Sequence, residues 1–324
     1  MLQKVRMSKL FIALVALCLA GPVIGRQAPL APGVHTVAAA DGLKLWYKVA
    51  GKAKGVPLIF LHGGPGEGSQ VFQSVGGPQL EKTQRLIYFD QRGSGRSERR
   101  KDASIYTLDI MVADIEALRR HLGVPRISLL GHSFGTLLAL EYAARFPNHV
   151  SRMVLAGAVS DFPGQTDLLC ERLSHLDPEA FVRAKAGLRP GSERKCDLFA
   201  GFSGRGSALQ NFVNRNMFPE LETEQLVKKL DNANGLQNDG AVGGALMSKG
   251  LFDYRFAGVS RVTAPVLIIA GGKDYQLPSA LQRDLARKLP SARFVEYPAN
   301  GHFMFAENPI RFAHDVTEFL AKAK

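Results

Sequence analysis

The 324-residue sequence predicts an α/β fold, in which helices cover both faces of a mostly parallel sheet and a helical cap interrupts the core. From about residue 35 onward, short apolar runs alternate with stretches of helical periodicity. The alternation lapses between residues 161 and 262, where proline and glycine break polar helical stretches, and then resumes. We therefore predict core segments over 26–160 and 263–324, a cap over 161–262, and a separate N-terminal segment over 1–25.

The N-terminal segment has the layout of a secretory signal peptide. Lys4, Arg6 and Lys9 precede an apolar run over residues 10–20, and small residues follow that run. The run is shorter than the roughly twenty residues that a helix needs to cross a bilayer. The pattern predicts a protein that is exported to the periplasm or secreted, with no permanent membrane span.

Within the core, apolar runs predict strands and periodic segments predict helices. Helical spacing of Ile110, Met111, Ile115 and Leu118 predicts a helix over 109–122, with Thr107 as its N-cap. A second helix should begin after residue 133 and end near 146, because a proline follows it. Strands are predicted over 43–49, 57–61, 85–89, 126–130, 152–155, 266–270 and 293–297, and further helices over 278–289 and 309–323.

The segment Gly131-His132-Ser133-Phe134-Gly135 fits the G-x-S-x-G nucleophile elbow, because a predicted strand ends at it and a predicted helix begins after it. Such a strand-to-helix turn strains the backbone of the central serine and requires neighbours that are almost without side chains. The motif in this context resembles the α/β-hydrolase fold and predicts Ser133 as a nucleophile.

A serine hydroxyl needs a base to take its proton, and that base is usually a histidine oriented by an acid. In this fold the chain order is serine, acid, histidine. His302 lies in a glycine-containing loop directly after a predicted strand, and Asp274 follows the strand before it. We predict His302 as the general base and Asp274 as its orienting acid, with Asp161 as the alternative acid.

A tetrahedral intermediate also requires two backbone N–H groups that point at its oxyanion. One should come from Phe134, which follows the nucleophile, and the other from Gly64 in the glycine-rich loop over 62–66. The glycine-rich segment over 90–97 carries no lysine in the frame of a phosphate-binding loop, so we interpret it as a structural turn.

Composition excludes other classes of function. The formal net charge of +12 is scattered along the chain without interleaved aromatic residues, so no nucleic-acid partner is predicted. The histidines are dispersed, and neither a metal nor a cofactor is expected. Beyond the N-terminal segment the chain has two cysteines, Cys170 and Cys196, and an even pair in an exported protein suggests a disulfide, with two free thiols as the alternative.

Taken together, several motifs resemble the prolyl iminopeptidase family of α/β-hydrolases. They are His62-Gly63-Gly64-Pro65-Gly66, Asp90-Gln91-Arg92-Gly93-Ser94-Gly95-Arg96-Ser97, the elbow at Ser133, Gly271-Gly272-Lys273-Asp274 and Gly301-His302. The resemblance spans residues 35–160 and 262–324 and implies release of an N-terminal residue from a small peptide. Recognition of the terminal amine would require carboxylates, for which the cap offers Glu220, Glu222, Glu224 and Asp231.

Two alternatives remain open. His132 stands where these peptidases more usually carry glycine, and histidine in that place is common in esterases, so an esterase acting on small acyl compounds is a close rival. A ligand-binding protein on a hydrolase scaffold is the alternative of another class, although a pure binder has no need of Ser133, Asp274 and His302 together. The sequence predicts no oligomeric state.

Overall fold

A computed structural model describes residues 28–321, apart from residues 189, 203, 205, 234, 235 and 237. The signal peptide predicted over 1–25 lies outside the described residues. Eight strands in the described part form one sheet: β1 (Gly33–Ala38), β2 (Lys44–Ala50), β3 (Leu58–Leu61), β4 (Leu86–Phe89), β5 (Ile127–His132), β6 (Val150–Ala156), β7 (Val266–Gly271) and β8 (Ala292–Tyr297). Their spatial order is β1-β2-β4-β3-β5-β6-β7-β8.

The helices of the described part lie on both faces of the sheet and in the cap. They are α1 (Gln70–Ser74), α2 (Gly77–Leu80), α3 (Leu108–His121), α4 (Phe134–Arg145), α5 (Phe162–Leu176), α6 (Pro178–Ala186), α7 (Leu198–Gly201), α8 (Gly206–Met217), α9 (Leu221–Asn232), α10 (Ala241–Ser248), α11 (Ser279–Lys288), α12 (Met304–Glu307) and α13 (Pro309–Ala321). In this part of the chain, each helix is too short or too polar to cross a lipid bilayer.

The strands from β3 to β8 pair in parallel, as the alternating sequence pattern predicts. Parallel strands are buried on both faces, and the side chains of β3, β4, β5 and β7 are buried throughout. The predicted α/β-hydrolase architecture is therefore confirmed. The sequence pattern missed β1, which pairs antiparallel with β2 at the edge of the sheet and buries only one of its six residues.

Two apolar clusters hold the helices against the two faces. On one face, Ile115 and Leu118 of α3 and Leu137 of α4 pack against the sheet. On the other face the cluster is aromatic, and the ring of Phe72 lies 5.0 Å from that of Phe305. The side chain of Thr107 accepts a hydrogen bond from the Ile110 N–H, so the predicted N-cap of α3 is present.

Helices α5 to α10 form a cap that leaves and rejoins the core at a short two-stranded neck. The backbone N–H of Phe162 donates to the Tyr254 carbonyl at 3.0 Å, and that of Phe256 donates to the Ser160 carbonyl at 2.8 Å. Inside the cap, Cys170 and Cys196 are joined by a disulfide and are fully buried in a small apolar cluster with Leu169. The cap therefore has a core of its own.

Candidate active site

Ser133 occupies the sharp turn between β5 and α4. Its backbone has φ of 50° and ψ of −123°, and among the described residues it is the one non-glycine residue with positive φ. Residues other than glycine adopt such a conformation at a cost of about 1–3 kcal/mol, which the surrounding structure must offset. The backbone N–H of Ser133 donates to the Ala156 carbonyl at the end of β6, and this bond fixes the turn to the sheet.

The flanking glycines are required because the turn lies against other backbone. A Cβ atom on Gly135 would collide with the carbonyl oxygen of Leu61 at the end of β3. A Cβ atom on Gly131 would lie 2.7 Å from the carbonyl oxygen of Gly135. The two glycines of the motif thus let the serine turn close against β3.

His302 lies in the loop after β8, beside the loop that follows β7. Its Nδ1 is 2.7 Å from Oδ2 of Asp274, and both side chains are buried. The other carboxylate oxygen of Asp274 accepts a hydrogen bond from the Leu277 N–H at 2.9 Å, so the acid is held on both sides. Because a carboxylate only accepts, His302 Nδ1 carries the proton, and Nε2 is left as the acceptor nitrogen.

The charge of Asp274 controls the protonation of His302. Burial alone would lower the pKa of the imidazole, but the neighbouring carboxylate outweighs burial and raises the pKa above its ordinary value. An imidazole in this setting is a stronger base and can hold a proton taken from a hydroxyl group. Ser133 and His302 line the same cavity, so the arrangement can support proton transfer from a serine.

Asp161, the alternative acid, lies elsewhere. It caps α5 by accepting a hydrogen bond from the Gly164 N–H at 2.9 Å, and it forms an ion pair with Arg255 at 3.3 Å. These contacts place it in the neck of the cap. Of the two candidate acids, Asp274 is therefore the one in contact with His302.

The cavity around Ser133 has a volume of about 530 Å³ and lies between the core and the cap. Gly64 and Phe134 line it together with the serine, so both predicted oxyanion donors border the nucleophile. The N–H of Phe134 belongs to the first turn of α4 and has no acceptor within that helix. Most of the remaining wall is apolar, and its cap side includes Leu169, Leu209, Phe212, Met247 and Phe252.

The three cap glutamates predicted to bind an amine do not line this cavity. Glu220 is exposed and lies 4.0 Å from Lys273, Glu222 is exposed, and Glu224 bonds to Asn214 and Lys228. Helix α9 buries only Val227, and the side chains of Glu220, Glu222 and Glu224 lie outside the residues that line the cavity. The prediction for Glu220, Glu222 and Glu224 is therefore wrong on geometric grounds.

Three features of the site were not predicted. His132 Nε2 donates to the His302 carbonyl at 3.0 Å, and its ring lies 4.7 Å from that of His302. The end of α8 also supports this loop, because the Met217 carbonyl accepts from the His302 N–H at 2.8 Å. Glu67 lines the cavity directly after the glycine-rich loop. Its adjacency to that loop was the sequence signal that could have identified it.

The turn over 90–97 is held by side-chain contacts, which agrees with the structural interpretation. Asp90 accepts from the Ser69 N–H at 2.8 Å and pairs with Arg96 at 3.0 Å. Arg92 is buried and forms a bidentate pair with Asp114. These charged groups are thus satisfied within the protein.

One group in the described part of the chain brings three metal-ligand atoms within 4.8 Å of one another: His314, Asp315 and Glu318 on α13. Asp315 accepts a hydrogen bond from the Tyr297 hydroxyl, and Glu318 pairs with Arg293. The group serves surface ion pairs. It offers no ligand to the cavity around Ser133.

Comparison with known families gives one extended match. Residues 56–309 match the family model described as alpha/beta hydrolase fold. The chain is similar to a probable proline iminopeptidase of Streptomyces coelicolor, with 36% identity over 160 residues that cover 46% of this chain and 47% of the relative. A proline iminopeptidase of Xylella fastidiosa is 35% identical over 167 residues, with 51% and 52% covered. The chain thus spans about half the length of these two curated relatives.

Longer alignments exist at lower identity. A proline iminopeptidase of Lactobacillus helveticus is 24% identical over 288 residues, which cover 86% of this chain and 95% of the relative. The solved structure of a proline iminopeptidase-related protein of Thermus thermophilus superposes with a TM-score of 0.74 and 27% identity, covering 90% of this chain and 98% of that one. An esterase of Exiguobacterium antarcticum shares the fold, with a TM-score of 0.66, 22% identity, and coverage of 90% and 100%.

Proposed function

Because this chain belongs to the α/β-hydrolase family, with resemblance to the proline iminopeptidases, we propose that it is a serine hydrolase that releases an N-terminal residue from small peptides. Ser133 is the nucleophile, His302 the general base and Asp274 the acid that orients the base. The observation that carries this proposal is the 2.7 Å contact between His302 Nδ1 and Asp274 in a cavity that Ser133 also lines.

The reaction follows from these positions. His302 Nε2 takes the proton of the Ser133 hydroxyl while the serine oxygen attacks the substrate carbonyl carbon. The resulting oxyanion accepts hydrogen bonds from the N–H groups of Gly64 and Phe134. Collapse of this intermediate breaks the C–N bond, and His302 gives its proton to the leaving amine. Water, deprotonated by the same imidazole, then attacks the ester carbonyl carbon. The bond to the Ser133 oxygen breaks, the imidazolium returns the proton to that oxygen, and the acid is released.

An esterase with the same triad is the second candidate. The wall of the cavity is mostly apolar, which suits an acyl chain as well as a residue side chain. His132 in the elbow also favours this candidate. Both reactions proceed through an acyl-enzyme on Ser133, so they differ in the substrate and not in the roles of the triad.

We also propose that the protein is exported, in which case Cys170 and Cys196 would meet an oxidising compartment. The support is the signal-peptide pattern over 1–25 together with the buried disulfide of the cap. Fractionation of producing cells tests this proposal. Recovery of a shortened chain outside the cytoplasm is expected, and an uncleaved chain in the cytoplasm would refute it.

The test of the activity compares proline β-naphthylamide with a short-chain p-nitrophenyl ester, using the mature protein and the Ser133→Ala variant. Faster cleavage of the amide that depends on Ser133 is expected for an aminopeptidase. Cleavage of the ester alone would favour the esterase. Equal rates in the wild type and in Ser133→Ala would exclude Ser133 as the nucleophile.

A further inference from the structure

Glu67 is a carboxylate beside the nucleophile for which the proposed triad has no use. It follows the glycine-rich loop, is partly buried, and lines the cavity with Ser133. Its Oε2 and the Cβ of Ser133 each lie 3.2 Å from the position that a Cβ atom on Gly63 would occupy. The carboxylate and the serine Cβ are therefore no farther apart than twice that distance.

This carboxylate has no hydrogen-bond or ion-pair partner in the part of the chain that the structure describes. Among the described residues, no hydrogen bond or ion pair reaches Glu67, whereas Asp274 and Glu307 both accept bonds from backbone N–H groups. Glu67 is also the one acidic side chain among the described residues of the cavity wall. A carboxylate that is partly withdrawn from water without a partner costs free energy, and a cationic ligand in this wall would offset that cost.

The groups around Glu67 make its negative charge more costly. Burial raises its pKa to about 7, the negative charge of Asp231 on α9 adds to this rise, and His302 opposes it when protonated. Asp231 itself accepts a hydrogen bond from Gln70 at 2.8 Å and offers no positive charge. When His302 is neutral, as it must be to act as a base, it offers Glu67 no positive charge.

We propose that Glu67 binds the ammonium group of the substrate, and that the site selects acyl compounds with a protonated amine next to the scissile carbonyl and an apolar body. This inference rests on the proposed serine hydrolase activity and adds its specificity. In such a substrate the amine nitrogen is about 2.5 Å from the carbonyl carbon that Ser133 attacks, by standard backbone dimensions. Because Glu67 lies beside Ser133, its carboxylate can contact the amine of a substrate whose carbonyl carbon is at the serine oxygen.

The rest of the cavity fits the apolar body. A volume of about 530 Å³ holds a side chain of ordinary size with part of the leaving group, and the cap supplies Leu209, Phe212 and Met247 to its wall. In this proposal Glu67 of the core binds the charged amine, and the apolar side chains of the cap contact the rest of the substrate. This division explains why Glu220, Glu222 and Glu224 can lie outside the cavity without loss of amine binding.

A proton must leave Glu67 when a cation binds near neutral pH. The ammonium favours the carboxylate form, so the affinity for a cationic substrate should rise with pH up to about 7. Asp231, His132 and His302 are the other ionisable groups that face this corner, and the loss of a proton from His302 affects all substrates alike. Glu67 also raises the pKa of His302, and this effect is common to all substrates. The pH dependence that marks amine binding is therefore the difference between substrates with the amine and substrates without it.

Two esters of the same shape test the proposal: leucine p-nitrophenyl ester and 4-methylpentanoate p-nitrophenyl ester, which lacks the amine. Glu67→Gln is expected to lower kcat/KM for the amine-bearing ester at least tenfold and to change that of the other ester less than twofold. Glu222→Gln, an exposed cap variant, should change neither. Equal losses on both esters, or no loss on either, would overturn the role of Glu67.

Calorimetry with leucine amide makes the test independent of turnover. Binding to the Ser133→Ala protein at pH 7, measured in buffers of different ionisation enthalpy, should release about half a proton per site, because the pKa of Glu67 is about 7. The Ser133→Ala, Glu67→Gln protein should release none. Absence of binding, or the same proton release in both proteins, would refute the proposal. Hydrolysis by Ser133→Ala would instead refute the proposed triad, so the two failures are distinguishable.

Discussion

Replacing Ser133 with glycine is expected to abolish turnover and yet stabilise the fold. The serine has φ of 50° and ψ of −123°, where an L side chain is strained by about 1–3 kcal/mol. Glycine removes this strain but gains about 0.5–1 kcal/mol of conformational entropy in the unfolded chain. The difference leaves a net stabilisation of about 0–2.5 kcal/mol for Ser133→Gly, with a midpoint of about 1 kcal/mol.

Ser133→Ala is the matched control, because it also loses the hydroxyl but keeps the Cβ atom that causes the strain. Equilibrium unfolding in guanidinium chloride, with the disulfide intact, should give a higher midpoint for the glycine variant than for the alanine variant. The slopes should be equal, since both variants expose the same surface on unfolding. An alanine variant as stable as the glycine variant, or more stable, would refute the assignment of strain to Ser133.

Three further perturbations test the site and its support. Asp274→Asn should lower kcat by about four orders of magnitude and move the acidic limb of the kcat/KM profile to lower pH, because the carboxylate raises the pKa of His302; an unmoved limb would contradict this. Replacing Cys170 and Cys196 with serine should cost about 3.5 kcal/mol of stability, given their separation of 26 residues, and unchanged thermal unfolding would contradict this figure. Gly135→Ala should yield little folded protein by circular dichroism, because its Cβ atom would collide with the neighbouring strand, and a native spectrum would exclude the collision.

The parallel core was predictable because its strands are apolar on both faces and are separated by periodic helices. The end of β7 differs from the prediction by one residue, and α13 begins at the predicted residue. The positions of Ser133, Asp274 and His302 followed from the same pattern, since each lies in a loop or turn at the carboxyl end of a strand. Parallel strands bring such ends to one edge of the sheet.

Other parts of the site depend on contacts that the sequence pattern does not encode. The cap helix α9 buries only Val227 and exposes the apolar Leu221 and Leu226, so periodicity could not identify the face that packs inward. Glu67 lies in a loop without periodicity, and its importance follows from the cavity around it. The edge strand β1 alternates mainly between exposed and half-buried residues, which is a weak signal in a segment of six.

The neck of the cap allows the inserted segment to vary independently of the core. Two backbone hydrogen bonds tie Ser160 and Phe162 to Tyr254 and Phe256, so the inserted segment begins and ends at one point of the core. A change in its length or helix content need not alter the register of β6 with β7. The segment between these residues can therefore be exchanged as a module. Its transplantation onto another hydrolase core would transfer the cap side of the apolar cavity wall, whereas Ser133 and Glu67 would stay with the original core.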